Sequence, residues 1–514
     1  MKELADAQQS AHAFQCDGKA TSSHPLVGQS VLRWRRLFSL TDDQAFPVRL
    51  IAVIAASAIL GGALLALLTP IGGIAVLAAG VGALLMLRDL KWGLLALLGV
   101  ICLLPFGSLP FKIGFTPTFL DLVYGAVYVV WAMRLITRQQ EDLQLTPLGL
   151  PMLVFVALAV FSFVLGLSHS HPTPNDLRTF AEVLMGFGMF FLVVNTVREQ
   201  SLLRQLTAAA ILGAAMQSGL GVLLYVLPSA WAVRLLNPLG RLGYPVGLGA
   251  LRYINDDPGR PMRAIGTSVD PNILGALLVI VLALAATQLF SKRPVLPRLW
   301  IGAAMGSMGL CLFLTYSRAS MLGAVVALGI VTVLRYRRLL GILLVAALLM
   351  LLLPQTQAYI GHFVQGIRIQ DRSTQMRMGE YRDTFRLIQR YPWVGVGFVG
   401  TPDIDLYVAV ASLYLALAAQ MGLIGLLAFV VVMGVFVVYW LRTWLVLPAE
   451  SEVEPFMLGY GAAIFGSLAS GALDHTLLTY PHAVALFWLA VGLAVVAIGL
   501  ARREKVTPTL RSGI

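Results

Sequence analysis

NILGALLVIVLALAATQLF (Asn272–Phe290) is continuously apolar and carries no charged residue. At about 1.5 Å of rise per residue, a helix of this length crosses the ~30 Å hydrocarbon core of a bilayer. A transmembrane strand would instead alternate apolar and polar residues. Comparable runs recur at about 48–69, 71–87, 92–107, 117–136, 148–167, 178–197, 204–227, 298–315, 319–335, 339–354, 422–442, 456–473 and 480–500. Together they predict an all-α polytopic transmembrane bundle of about 12–14 spans, the second and third being short and joined by tight turns.

Composition agrees. The chain of 514 residues is 58% apolar and 12% charged, with a mean hydropathy of +0.82. Soluble domains are typically ~45–50% apolar and ~25% charged. A soluble enzyme, a disordered chain, a coiled coil and a secreted disulfide scaffold are thereby excluded. Cys102 and Cys311 lie inside apolar runs and Cys16 near the N-terminus, without metal-ligand or disulfide spacing. The net charge of +12 is therefore read by its distribution across the membrane, not as a nucleic-acid signal.

Residues 1–47 show no signal-peptide pattern, end with Arg33, Arg35 and Arg36, and read as a cytoplasmic tail before a membrane domain over 48–500. With that end inside, the inside loops carry Arg88, Lys91, Arg138, Arg198, Lys292, Arg293, Arg337 and Arg338. Arg502, Arg503, Lys505 and Arg511 follow in a C-terminal tail, 501–514. The outside loops 108–116 and 168–177 share a single basic residue, Lys112. This bias places both termini in the cytoplasm.

Two outside segments break the bias. Residues 228–271 include Arg234, Arg241, Arg252, Arg260 and Arg263; the large loop 355–405 includes Arg368, Arg372, Arg377, Arg382, Arg386 and Arg390. Arg318 also falls at an outer edge. Arginine in place of lysine points to bidentate recognition of phosphate or carboxylate. Within the large loop, QMRMGEYRDTFRLIQR (Gln375–Arg390) has helical periodicity, with Met378, Tyr381, Phe385 and Ile388 as an apolar stripe. An interfacial helix on the outer leaflet fits, with Arg377 turned inward, about 140° round from Arg382.

Four segments resemble the O-antigen ligase and polymerase family. LTYSRASMLG (Leu314–Gly323) resembles its Thr-x-Ser-Arg segment, and RAIGTSVDPNILG (Arg263–Gly275) its Arg…Pro-Asn start of a span. Met376-Arg377 through YPWVGVGFVG (Tyr391–Gly400) resembles its outer-loop pattern of an arginine, a helix and Pro-x-x-Gly-x-Gly. SLYLALAAQMGLIGLL (Ser412–Leu427) resembles its Tyr-Leu…Gly-Leu-Ile-Gly return into the membrane. The likeness is close over 263–430 and extends more loosely over a core of about 178–500.

The resemblance implies an inverting, metal-independent glycosyltransferase without a cofactor, in the bacterial inner membrane. It would move glycan from undecaprenyl diphosphate to an acceptor glycan at the outer face, polymerising or ligating repeat units of a surface polysaccharide or exopolysaccharide. A flippase and a chain-length regulator are implied partners, with membrane lipids around the bundle. By the same resemblance Arg263, Arg318 and Arg377 would bind the pyrophosphate, as would Arg178, whose other reading is a pair with Glu182 at i+4. A departing pyrophosphate gathers negative charge, which arginines in a partly dry cavity stabilise.

One departure stands out. Family ligases tend to carry His-Asn before the Tyr-Leu, where this chain has Ala411 and Ser412. This points towards a polymerase or a divergent polysaccharide subfamily. Another base must then accept the acceptor proton. The last outer loop, ALDHTLLTYPHAV (Ala472–Val484), offers Asp474 and His475 as catalytic candidates, with His482 read as an interfacial anchor. Glu380, Asp403 and Asp405 follow in the large loop. The rival class is a lipid-linked glycan transporter or flippase, which would place ionisable groups near the bilayer midplane and show internal repeats. Here Asp121 and Glu182 lie near outer ends, and no inverted repeat is visible.

Overall fold

The structure, a computed structural model, describes residues 80–112, 114–138, 143–169, 171–352, 372–400, 410–448 and 451–511. The expected tail 1–47, the span at 48–69, most of that at 71–87, Arg368, Asp403 and Asp405 lie outside the described residues. The chain divides into two compact units, Met1–Val81 and Gly82–Ile514, and almost all described residues belong to the second.

That unit is helical, with no strand among the described residues. Its helices are α1 (Lys91–Leu103), α2 (Phe119–Ile136), α3 (Gly149–Gly166), α4 (Pro174–Thr196), α5 (Gln200–Val226) and α6 (Ser229–Leu236). They continue with α7 (Pro271–Phe290), α8 (Arg298–Leu314), α9 (Arg318–Leu334), α10 (Arg338–Leu351) and α11 (Arg372–Arg390). The last are α12 (Leu413–Trp444), α13 (Glu454–Gly471), α14 (Thr476–Thr479) and α15 (Pro481–Arg511). Every span expected from residue 92 onward finds a helix. Seven of them, α2–α5, α7, α12 and α15, are long and apolar enough to cross a membrane. The chain is thus a polytopic helical membrane protein, and exposed side chains such as Met216, Trp300, Val325, Val333 and Leu344 form its lipid-facing exterior.

The centre of the bundle is α7, buried on every side from Ile273 to Gln288. A helix apolar all round has no face to offer to water and settles in the middle. Asp270 caps it, its Oδ1 accepting from Asn272 N (2.7 Å) and Ile273 N (3.3 Å), with Pro271 in the first turn. Helices α9 and α13 close on α7 through small residues. A Cβ added to Gly323 would lie 2.7 Å from the Gly466 carbonyl oxygen, and one added to Gly466 2.6 Å from that of Gly323. In lipid, where apolar contact alone does not favour protein over solvent, such close backbone approach drives helix packing.

Helix α12 is longer than the span expected at 422–442 and is broken at Gly422 (φ 70°, ψ −178°). The turn after α11 fits into the break. Val396 N and Gly397 N donate to the carbonyls of Ala419 and Gln420 (both 2.9 Å), and Leu423 N and Ile424 N donate to those of Pro392 (2.7 Å) and Trp393 (3.3 Å). Backbone groups that a helix break would orphan in the membrane are thereby paired. Ser162 Oγ of α3 joins the same knot, donating to Val394 O (3.1 Å) and Gln420 O (2.5 Å). Gly395 (φ 69°) leaves no room for a Cβ against Ala419 and Gln420. The Pro-x-x-Gly-x-Gly and Gly-Leu-Ile-Gly sequences are two halves of one joint, which fixes α11 against the bundle.

The buried face of α11 corrects the expected stripe. Thr384 and Leu387 are buried, and Arg377, Glu380, Tyr381 and Ile388 half-buried, whereas Met378 and Phe385 are exposed. Tyr381 Oη donates to Ala411 O (3.3 Å), and Thr384 Oγ1 to Glu380 O (2.7 Å). Arg377 does turn inward. Met378, Phe385, Arg382 and Arg386 face outward, the composition of a helix lying on lipid.

Candidate functional site

Three chain reversals meet at one end of the bundle. The first is the loop into α7. Arg263 N donates to Arg252 O and Ala264 N to Leu314 O, both at 2.8 Å, which docks the loop on the end of α8. Thr267 is tied to Gln217 of α5, and its hydroxyl donates to Leu103 O (2.7 Å). Val269 then takes φ 58°, and Asp270 N donates back to Ser268 O (2.5 Å), closing a γ-turn. A β-branched residue in the left-handed region costs on the order of 1–3 kcal/mol and persists only where its surroundings impose it.

Second comes the reversal Thr315–Ser317 between α8 and α9. Tyr316 takes φ 52°, and Ser317 becomes the N-cap of α9, its hydroxyl accepting from Ser320 N (3.4 Å). Arg318 is thereby the first residue of a helix, at the end whose dipole favours an anion. Arg263 lies across from it, Nε donating to Thr315 O (2.7 Å) and Nη2 to Asn272 Oδ1 (3.0 Å). Burial pushes the Arg263 guanidinium down to about 10; Asp270 pulls it up, and the like charge of Arg377 pushes it further down. It remains a cation at neutral pH.

Third is the last loop, packed on the start of α12. Leu413 N donates to Asp474 O (3.0 Å). Asp474 Oδ1 accepts from Thr476 N (2.7 Å) and, at shorter range, from the Thr476 hydroxyl, so this buried carboxylate shapes the turn. His475 follows it, half-buried, its ring stacked on Tyr480 and its Nδ1 buried without a hydrogen-bond partner among the described residues.

The three reversals and α11 enclose a cavity of about 400 Å³. Arg263, Arg318, Arg377, Asp474 and His475 all line it, as do Glu380 and Ala411. Glu380 Oε2 accepts from Ala411 N (3.3 Å). Desolvation raises the Glu380 carboxyl above its ordinary value, against the opposing influence of the Ala411 N–H, Arg377 and His475.

Arg178 is placed elsewhere. Its Nη1 is shared by Asp121 Oδ2 (3.1 Å) and Glu182 Oε1 (3.3 Å), and its Nε donates to Asn175 Oδ1 (3.3 Å). Thr118, the N-cap of α2, bonds both carboxylates, so the group ties α2 to α4. His482 is not at an interface but buried edge-on to Phe106 at 4.9 Å. Sequence reasoning did not single out Asn272, Tyr253, Asn255 or Tyr316, which also line the cavity. Asn272 and Tyr316 stand inside the two quoted motifs, and their neighbours' arginines were the available signal. Among the described residues, no group of His, Cys, Asp and Glu is arranged to hold a metal ion.

The fold and cavity define a polytopic membrane protein with an open site at one end of its helices, where Arg263, Arg318 and Arg377 face Asp256, Glu380 and Asp474. Residues 303–430 match the family described as O-antigen ligase, so the resemblance read from the motifs holds over this stretch, which contains Arg318, Arg377, Glu380 and the Gly422 joint. No curated protein matches the chain.

Proposed function

We propose that the chain is a polysaccharide polymerase of the inner membrane, both termini in the cytoplasm. It takes an oligosaccharide from undecaprenyl diphosphate and joins it, with inversion and without a metal ion, to a second lipid-linked glycan. The convergence of Arg263, Arg318 and Arg377 on one cavity carries this reading. A diphosphate seated there has guanidinium groups for its oxygens and the N-terminus of α9 for its charge. As the bond from the anomeric carbon to the phosphate oxygen breaks, the pair of electrons leaves with the phosphate, and the arginines stabilise the added charge. The acceptor hydroxyl attacks from the opposite face of the sugar and gives its proton to His475, with Asp474 fixing the loop that presents the imidazole. A role for Arg178 in the same step requires the diphosphate to reach the α2–α4 group; its pairing with Asp121 and Glu182 favours a structural duty. A flippase and a chain-length regulator would supply repeat units and terminate polymers.

The test uses the purified chain and the lipid-linked repeat unit that accumulates in cells lacking its gene. Polymer ladders formed in the presence of EDTA are expected. Loss of activity on chelation, restored by magnesium or manganese, points to a different class of glycosyltransferase. Movement of the lipid-linked glycan across vesicles, with no ladder, supports a transporter.

A further inference from the structure

Ala411 stands where relatives of the resembling family carry histidine, and its surroundings show what has taken over that part of the wall. Its N–H is bonded to Glu380 Oε2, and its carbonyl accepts from Tyr381 Oη. The short side chain thus leaves the Glu380 carboxylate facing the cavity that His475 faces from the last loop. His475 and Arg377 both exert charge on Glu380. His475 Nδ1 is buried and lacks a hydrogen-bond partner among the described residues. Accepting a proton on Nε2, the nitrogen left to the cavity, therefore creates an imidazolium with no bonded counter-group. Asp474 beside it has Oδ1 engaged by Thr476, and Glu380 across the gap offers a second carboxylate for charge compensation, as the buried aspartate does for histidine in hydrolytic triads.

We propose that Glu380 is a positioning residue for His475, its carboxylate supplying the negative charge that stabilises the imidazole once it has taken the acceptor's proton. The inference rests on the polymerase reading above. The proton moves from the acceptor hydroxyl to His475 Nε2, the new glycosidic bond forms from that oxygen, and the diphosphate leaves; Glu380 itself stays ionised throughout. The other titratable groups lining the cavity are Arg377 on the same helix, Arg263 and Arg318, Asp256, Tyr253 and Tyr316 on the facing loops, and Asp474 beside His475; Tyr381 and Tyr480 adjoin it as neutral phenols. The three guanidinium groups oppose a charged imidazole, so the carboxylate has a large field to offset.

The experiment is a pH titration of histidine modification by diethyl pyrocarbonate, read peptide by peptide on the purified full chain. In Glu380→Gln, which preserves size and can still accept from Ala411 N, the pH of half-maximal modification at His475 falls by about one unit. Glu380→Asp recovers most of that shift. Polymer formation falls in Glu380→Gln, least at the acid end of the pH profile because its acid limb moves down with the modification curve, while undecaprenyl diphosphate binding persists. Buried His482 reports the fold: were it to become reactive in Glu380→Gln, Glu380→Ala is titrated in its place. Superimposable curves for parent and variant overturn the proposal, as does an aspartate variant displaced as far as the glutamine one. Because the titration needs no substrate, it judges the charge pair separately. A parent chain that makes no polymer overturns the reading of function on which the role depends.

Discussion

Arg318 brings a guanidinium into the cavity at the first turn of α9, and lysine cannot reproduce its fork. The compact ammonium offers one point of charge where the fork offers paired donors. Arg318→Lys should lose most polymerisation and Arg318→Ala ~10²–10³-fold in rate, the usual cost of one charge-stabilising donor. Ladder assays on variants expressed at the parent's level check this; near-parental rates from Arg318→Ala remove it from the site. His475→Ala should slow transfer by ~10²–10⁴-fold with donor binding retained, since binding rests on the arginines. Equilibrium binding of undecaprenyl diphosphate beside turnover separates the two, and His482→Ala, which does not line the cavity, should leave turnover less affected. The charge bias marks many outer arginines, and it is the motif resemblance that singles out Arg263, Arg318 and Arg377, the three that line one cavity. The partner of Arg178 was half legible: Glu182 lies four residues on, but Asp121 comes from another helix. Nothing in local spacing brings two such positions together.

Among the elements, the joint at Gly422 carries the longest reach. A Cβ there would meet the Trp393 carbonyl, and its backbone angles suit glycine alone. Gly422→Ala should therefore lower thermal stability by at least the ~1–3 kcal/mol of a strained backbone, and should reduce activity by shifting α11, and Arg377 with it, though no cavity residue is changed. Melting in detergent beside the ladder assay tests this; a variant with the parent's melting point and rate shows that the joint tolerates a side chain. The expected span at 422–442 began where the break lies, because hydropathy senses apolar length and not backbone angles. For α11 the misreading has a different origin. Lipid and protein interior are both apolar, so a stripe of Met378 and Phe385 looks the same whether it faces one or the other. The face that packs includes Glu380 and Tyr381, whose partners, the N–H and carbonyl of Ala411, come from another segment.

At the level of the whole molecule, α7 runs from the cavity to the opposite end, where Arg204 donates to the carbonyls of Arg293 and Pro294 (both 2.9 Å) and Tyr336 to Glu454 (2.9 Å). A polymerase drawing on substrate at the outer face needs the cavity end outside. Cysteine at position 260 should react with an impermeant maleimide in intact cells, and cysteine at 337 only after permeabilisation. The reverse pattern inverts the topology and detaches the cavity from its proposed substrate. Fold class, and helix order from residue 92 onward, were legible, since each crossing writes its own length into the sequence. The interlocked turn has a consequence for assembly in time. When α12 first enters the bilayer, the backbone bonds offered by residues 392–397 are not yet in place, and an unbroken helix is the conformation that leaves fewest groups unpaired. A synthetic peptide covering 413–444 in lipid should accordingly be a continuous helix. The bend would then be imposed late, by the docking of a segment made earlier, so the site is finished only after the chain has completed its last crossings.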